Sequence, residues 1–478
     1  MLKTIFLNPP SVDGFDGGAG SRYQARREIK SFWYPTWLAQ PAALVPGSTL
    51  LDAPPHDIGY EDALAAAARH DLVVIHTSTP SLRNDLRFVA ALKARKPDAL
   101  VGCVGAHVAV LPEETLAACP DLDFVARREF DMTIKEIAEG RPLPEVVGVS
   151  YRDRATDRVV HRPERPLLMN MDELPFVVDV YKRDLDIDKY YIGYLKHPYI
   201  SLYTGRGCRS HCTFCLWPQT IGGHKYRVRS AEHVYEEMKR AKELFPTVKE
   251  FFFDDDTFTD DRARAEEVAR KLKPLGLTWS CNAKANVPYE TLKVMRDCGL
   301  RLLLVGFESG DQQILNNIRK GIRVDRAREF AKDCRRLGIK VHGTFILGLT
   351  GETRETMRQT IAYARELDPD SIQVSLAAPY PGTELYAQAL ANGWLKNGTL
   401  LDDQGFQGAT IEYPDLRAED ISKALEDFYL QGAGGFLPPV LPAAAAHPAV
   451  PQRHGAGSGR MRTPPTRGAR ILRVPGPA

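Results

Sequence analysis

With 478 residues, 44% hydrophobic and 26% charged, the chain has the composition of a globular protein of two to three domains. Its formal net charge of +2 offers nucleic acid no electrostatic foothold, and no apolar run reaches the ~18 residues that a membrane span needs. The start, Met1–Pro10, is broken too early by proline for a signal peptide. Eight cysteines are present. Three crowd into one loop, while Cys103, Cys119, Cys281, Cys298 and Cys334 are scattered. In a cytosolic chain that pattern points to metal or redox chemistry and not to disulfides.

Residues 1–140 alternate strand and helix patterns. Thr4–Pro10, Thr49–Ala53, Leu72–Ser78, Leu100–Val108 and Asp123–Ala126 read as buried parallel strands. Glu61–Arg69, Ser81–Ala94 and Glu113–Ala118 read as helices between them. The series predicts a doubly wound α/β domain, whose ligands sit beyond the carboxyl ends of the strands. Those ends carry Asn8–Ser11, Thr77–Pro80 and Gly102–His107. Their small and hydroxylated residues either admit a large ligand or simply make tight turns. The Gly-rich, then basic and aromatic insertion Gly14–Ser48 either closes over a ligand or packs as a compact loop. Residues 141–198 read as a connector containing a hairpin, Val147–Arg152 with Arg158–His161.

A second series fills residues 199–430. Its strands are Tyr199–Thr204, Lys249–Phe253, Leu277–Ala283, Leu302–Phe307, Lys340–Leu347 and Ser371–Leu376, with helical patterns between. This predicts an open, partial (βα)6 barrel in which the residues just after each strand share one face. The first strand is followed by Gly205–Cys215 and the second by Asp254–Thr257. Next come Lys284–Asn286, then Gly306–Gly310, then Gly343 with Gly348–Glu352, and finally Ser375 with Ala377–Tyr380. Residues 431–478 break sharply from this pattern. They hold six Arg but no Asp, Glu or Lys, and without them the net charge of +2 becomes −4. The composition suits disorder, and the abruptness suggests a reading-frame shift in a GC-rich gene.

Cys208, Cys212 and Cys215 stand at C-x-x-x-C-x-x-C spacing. Three such thiolates can hold three corners of a [4Fe–4S] cube, leaving one iron open to a small molecule. The competing reading is zinc, with His211 or His224 as a fourth ligand, but zinc sites usually pair two separated ligand sets. A third possibility is inert core thiols.

Cys208-x-x-x-Cys212-x-Phe214-Cys215 after a first barrel strand resembles the radical S-adenosylmethionine (SAM) superfamily. The resemblance implies that the open iron binds SAM, and that an electron from the cluster cleaves it to a 5′-deoxyadenosyl radical that takes a hydrogen from substrate. It implies that Phe214 shields the cluster and an adenine, and that Asp254, Asp255 and Asp256 meet the methionine amino group. The latter run departs from the family's glycine-rich pattern and could instead be a solvated helix start capped by Asp260. Glu308 and Ser309 resemble the position near the ribose, with a buried salt bridge as the alternative for Glu308. Gly343, Gly348 and Gly351 resemble the stretch that passes the adenine, or else form a plain turn. Residues 1–140 resemble a cobalamin-binding domain. The D-x-H-x-x-G motif is missing after the first strand, so cobalamin would bind without a histidine lower ligand. His56-x-x-Gly59 mimics half the motif in the wrong place, and His76 and His107 read as satisfied polar residues.

Asp16–Glu28, Tyr34–Pro41, Tyr203–Gly223 and Trp279–Asn286 are similar to the hopanoid-biosynthesis radical SAM family of bacteriohopanetetrol cyclitol ether synthases. That resemblance implies ring contraction of a glucosamine headgroup to a cyclitol ether. It also implies a hopanoid lipid substrate at the membrane surface and an electron donor such as flavodoxin or ferredoxin. The expected location is cytoplasmic, with peripheral docking at the inner membrane. Two alternatives are carried forward: cobalamin-dependent radical methylation of an unactivated carbon, and a non-enzymatic iron–sulfur electron-transfer or redox-sensing module.

Overall fold

A computed structural model describes residues 1–10, 32–396 and 408–432. The Gly-rich start of the insertion and the tail beyond 432 lie outside the described residues. The first sheet contains β1 (Thr4–Asn8), β2 (Thr49–Asp52), β3 (Leu72–His76), β4 (Leu100–Val104), β5 (Phe124–Ala126), β6 (Val149–Asp153) and β7 (Arg158–His161), in spatial order β2-β1-β3-β4-β5-β6-β7. The first five are parallel, whereas β6 and β7 run antiparallel. The hairpin expected in the connector therefore extends this sheet. Alternate residues of the central strands enter two separate cores: Phe6, Leu72, Val74 and Phe124 on one face, Ile5, Val73, Ile75 and Val125 on the other. Burial on both faces explains their continuous apolar runs.

The second sheet is six-stranded and parallel: β8 (Tyr199–Leu202), β11 (Glu250–Phe253), β12 (Trp279–Ala283), β13 (Leu300–Glu308), β14 (Lys340–Leu347) and β15 (Ser371–Leu376). Between β8 and β11 a two-stranded ribbon, β9 (Gly205–Arg206) and β10 (Arg227–Val228), frames the cysteine loop. This is an α/β chain with a doubly wound domain followed by a partial barrel, as the pattern predicts.

Three local differences have physical causes. The fourth strand stops at Val104, not Val108, because Gly105 turns the chain at φ +127 into a short helix, Ala106–Val110. A Cβ on Gly105 would stand 2.1 Å from the Thr77 carbonyl oxygen, so only glycine allows that approach. The insertion yields a helix, Thr36–Leu44, despite Pro41 inside it; its buried Leu38, Ala39 and Ala42 join the core shared with the barrel. Ahead of it, Tyr34 stacks on Tyr190 at 4.2 Å and donates to the Tyr199 carbonyl at 2.7 Å. The end of the insertion is thus a wedge between the two sheets. The helix after Asp254–Asp256 is capped by Asp261, which accepts from Arg264 N, and not by Asp260.

Candidate functional site

The cysteine loop is held from both sides. Gly207 takes φ +83, and a Cβ there would lie 2.4 Å from the Lys225 carbonyl oxygen. Gln219 Nε2 donates to the carbonyls of Cys212 (3.2 Å), Thr213 (3.3 Å) and Cys215 (2.7 Å), closing the loop on itself. Buried arginines pin the flanking ribbon to the segment that follows β5, the loop at Glu129 and the helix Asp131–Ala138. Arg206 forms a two-pronged pair with Asp131 (2.6 and 3.1 Å), and Arg227 does so with Glu129 (2.7 and 2.5 Å). Arg206 also lies over the Trp37 ring at 4.7 Å. Such forked pairs fix orientation as well as distance.

Cys208 and Cys212 are buried and Cys215 is half-buried; all three line one hollow of about 330 Å³ inside the barrel rim. Burial pushes the Cys215 thiol well up, and the neighbouring Asp256, Cys212 and Cys208 add to the effect. A positively charged cluster core would relieve that crowding, because metal ligation removes the thiol protons. Among the described residues, no three His, Cys, Asp or Glu side chains converge on a point for a single ion. His211 and His224 stack on each other at 4.1 Å, and His224 Nδ1 sits 2.8 Å from the Ser210 carbonyl oxygen. The donor set therefore fits an open-cornered cube better than zinc.

The same hollow is lined by Phe214, Asp254, Asp256 and Glu308. Asp254 accepts from Asn282 Nδ2 at 3.1 Å. Glu308 has φ +62 and sits at a register shift between β13 and β14. A bulge of this kind re-aims a side chain at some cost in backbone strain. Its carboxylate pairs with Lys320 at 2.6 Å, so the salt bridge and the cavity position are both real. A Cβ on Gly306 would fall 2.2 Å from Glu308 Oε1, so a side chain there would displace the Glu308 carboxylate. Burial opposes the Lys320 charge, but Glu308 outweighs it and holds the ammonium pKa above its ordinary value.

Five residues expected to contact the cofactor lie outside the lining of this hollow. Asp255 is fully buried outside this lining; it accepts from Thr204 N (2.6 Å), Thr204 Oγ1 (2.7 Å) and Tyr226 OH (2.8 Å). It clamps the first barrel strand to the second. Ser309 is buried against Thr360 Oγ1 at 3.1 Å. Gly343, inside β14, faces Pro369, while Gly348 and Gly351, at positive φ in the turn after the strand, face Ile421 and Asn317; Thr344, Phe345 and Ile346 present the fifth strand to the hollow. Sequence reading missed Asn282, Lys320 and Gln373 here. Asn282 was legible as an inward position at the end of β12; Lys320 lies beyond a short helix and carried no signal.

A second hollow of about 340 Å³ opens at the carboxyl ends of β1, β3 and β4, where Asn8, His76, Thr77, Ser78, Thr79 and Ala106 line it. Trp33, Trp37, Tyr203, Phe214, Cys215 and Trp217 line both hollows. Two buried atoms in the second have no hydrogen-bond partner, Asn8 Oδ1 and His76 Nε2. His76 is thus not the satisfied residue expected, and burial lowers its pKa to about 4. His107 does have a partner, with Nδ1 3.0 Å from Thr79 Oγ1.

A parallel sheet whose strand ends open beside a three-thiol barrel rim defines a class of α/β chains with two adjoining cofactor-sized hollows. The Radical SAM superfamily model matches residues 202–364, and the B12 binding domain model matches residues 25–138. An uncharacterized methyltransferase of Pyrococcus horikoshii is 32% identical over 448 residues, covering 90% of this chain and 92% of that protein. Cytidylyl-2-hydroxyethylphosphonate methyltransferase of Streptomyces wedmorensis is 29% identical over 374 residues, covering 70% and 69%. The fold matches the radical SAM methyltransferase TsrM of Kitasatospora setae, solved with cobalamin and a [4Fe–4S] cluster, at a TM-score of 0.69 and 15% identity over 93% and 92% of the two chains. The chain belongs to the radical SAM superfamily, in the branch that carries a B12-binding domain. It is a radical SAM enzyme, and its cofactors are a [4Fe–4S] cluster, SAM and cobalamin. The expected ring contraction to a cyclitol ether is overturned, because the Pyrococcus and Streptomyces relatives, matched over 92% and 69% of their length, are methyltransferases.

Proposed function

We propose that this enzyme is a cobalamin-dependent radical SAM methyltransferase acting on an unactivated carbon. The observation that carries the reading is the shared wall of the two hollows: the cluster side of the barrel and the strand ends of the first sheet meet at Phe214, Cys215 and Trp217. When bound, the cluster with SAM supplies hydrogen abstraction and cobalamin supplies a methyl carrier. The chain's own residues do the positioning. Cys208, Cys212 and Cys215 would hold three irons, leaving the fourth open for SAM. Asp254 and Asp256 place negative charge where an ammonium group can be met, and the Glu308–Lys320 pair offers both signs to a polar ribose. Trp33, Trp37, Tyr203 and Trp217 give the shared wall apolar rings that exclude water from a reactive species.

Anaerobic turnover in extract tests this. S-adenosylhomocysteine and 5′-deoxyadenosine should form together, both dependent on added cobalamin. Turnover indifferent to cobalamin, or 5′-deoxyadenosine without S-adenosylhomocysteine, would remove the reading. The proposal extends to partners: a small electron donor such as flavodoxin or ferredoxin, and a hopanoid-type lipid as methyl acceptor, taken from a membrane surface by a cytoplasmic enzyme. The apolar shared wall supports an apolar acceptor. Among the described residues no helix is long and apolar enough to cross a membrane, so the docking proposed is peripheral. Feeding trideuteromethyl methionine to wild-type and deletion strains would decide the acceptor: a labelled hopanoid lost on deletion supports it, and an unchanged hopanoid profile rejects it.

A further inference from the structure

We propose that Lys320 sets how readily the cluster accepts its electron: its ammonium, seated in the cysteine hollow on a turn bonded to the cysteine loop, raises the reduction potential. This rests on the reading that Cys208, Cys212 and Cys215 hold a cluster there. Lys320 lines the same hollow as the three cysteines. Its side chain is 13% exposed, and Nζ lies 6.0 Å from the centroid of the Phe214 ring. The turn that carries it is fastened to the cysteine loop. Thr213 N donates to the Ile318 carbonyl at 3.1 Å, and Cys212 Sγ lies 3.8 Å from the Arg319 carbonyl oxygen. Arg319 forms a two-pronged pair with Glu384, both bonds 2.8 Å long. Glu384 N in turn donates to Oε1 of Gln219 at 2.9 Å, the side chain that closes the cysteine loop. Arg319 takes φ +53, a strained conformation that persists where its surroundings over-determine it. The pair of Lys320 with Glu308 is neutral as a whole but points one way. Burial raises the Cys212 thiol, and Lys320 works against that rise more strongly than Glu308 adds to it. Lys320 works in the same direction on Cys215. The positive end of the pair therefore faces the thiols. Lys284, the other lysine of the lining, is answered by Asp260 and acts on Cys212 less than Lys320 does. Iron held by three thiolates carries negative charge, and one more electron adds to it. Charge and burial around a cluster set its potential, and a buried ammonium favours the reduced form because low local dielectric strengthens the attraction. The electron comes from the small one-electron carrier proposed above, and no protein bond forms or breaks when it arrives.

The test uses the full-length protein loaded anaerobically with iron and sulfide, without SAM. It is titrated against mediators of known potential, and the reduced cluster is counted by electron paramagnetic resonance. Lys320→Met combined with Glu308→Gln removes both charges and leaves neither unanswered. At the potential that half-reduces the wild-type protein, its reduced-to-oxidised ratio should fall about tenfold, a downward shift of about 59 mV. Lys320→Arg keeps the charge and should titrate with wild type. Glu308→Gln leaves the ammonium without its counter-charge and should raise the ratio. A purely structural pair would change iron content without moving the potential in opposite directions. A double variant that titrates at or above the wild-type potential would overturn the proposal. So would Lys320→Arg titrating as low as the double variant, or Glu308→Gln with no upward shift. These last two variants decide the matter if the double variant does not hold iron. A wild-type protein that takes up no iron would overturn the cluster reading as well, whereas a loaded cluster with unmoved potentials overturns this inference alone.

Discussion

The two rims that meet at Trp217 differ in the charge they carry. On the barrel rim the charged groups are already answered: Glu308 by Lys320, Asp254 by Asn282, and Lys284 by Asp260 at 2.6 Å. Both rims keep buried atoms without partners, His342 Nε2 on the barrel rim and Asn8 Oδ1 and His76 Nε2 on the rim of the first sheet, the latter two among hydroxyls and small residues. A small, highly charged cofactor such as SAM needs fixed, pre-paired dipoles that do not reorganise when it binds. A large, mostly apolar ring system needs room and a few unanswered groups that it completes itself. The difference in charge is what the proposed placement requires, with SAM on the barrel side and the corrinoid on the other.

Removing a cysteine would break the barrel side most completely. Cys208→Ala, Cys212→Ala or Cys215→Ala should abolish iron loading and 5′-deoxyadenosine formation, while corrinoid uptake on the other rim persists. Loss of both together would mean that the rims are not separable. Next in size is the buried pair. Lys320→Met leaves Glu308 without its counter-charge and should cost about 3–5 kcal/mol in denaturant unfolding; adding Glu308→Gln should recover most of it. A Lys320→Met protein as stable as wild type would show that the pair is not held in the folded chain. Gly207→Ala comes third. It forces a Cβ against the Lys225 carbonyl at a positive φ and should cost about 2 kcal/mol, with iron content falling more than corrinoid content.

The smallest effect is pH-dependent and lies away from both rims. Glu352 accepts from the backbone N–H groups of Gly348 and Leu349, yet burial outweighs those bonds and raises its pKa to about 8. The folded state therefore holds this proton at pH values where the unfolded chain has released it. Stability from this group is present below the ordinary glutamate range and is lost as pH rises towards 8. Glu352→Gln keeps an acceptor oxygen without the charge. Its thermal midpoint should fall less than that of wild type between pH 5 and 8, a difference of at least about 1 kcal/mol; parallel curves would reject the assignment.

Much of this was legible in the linear chain because local chemistry carried it. Alternating strand and helix periods announced both sheets, and three cysteines in eight positions announced a cluster before any contact was known. What the linear pattern left open has one physical source. Asp254, Asp255 and Asp256 look alike in a row, yet successive residues leaving a strand point to different sides. Two reach the hollow, and the middle one turns into the core. Gly343, Gly348 and Gly351 invite the idea of a close ligand, but their neighbours are protein atoms. Glycine marks a close approach without saying of what.

The sequence by itself determined that there are two α/β units, that one rim carries a trio of thiolates, and that the other lacks the expected histidine motif. Those are properties of composition, period and spacing, which survive without knowledge of contacts. Only folding brings the two rims to one aromatic wall, sets Lys320 against Glu308 from beyond a short helix, and buries His76 Nε2 without a partner at the strand ends of the first sheet. Each depends on groups brought together from distant parts of the chain. Burial then fixes what each group must pair with, and no local pattern records that.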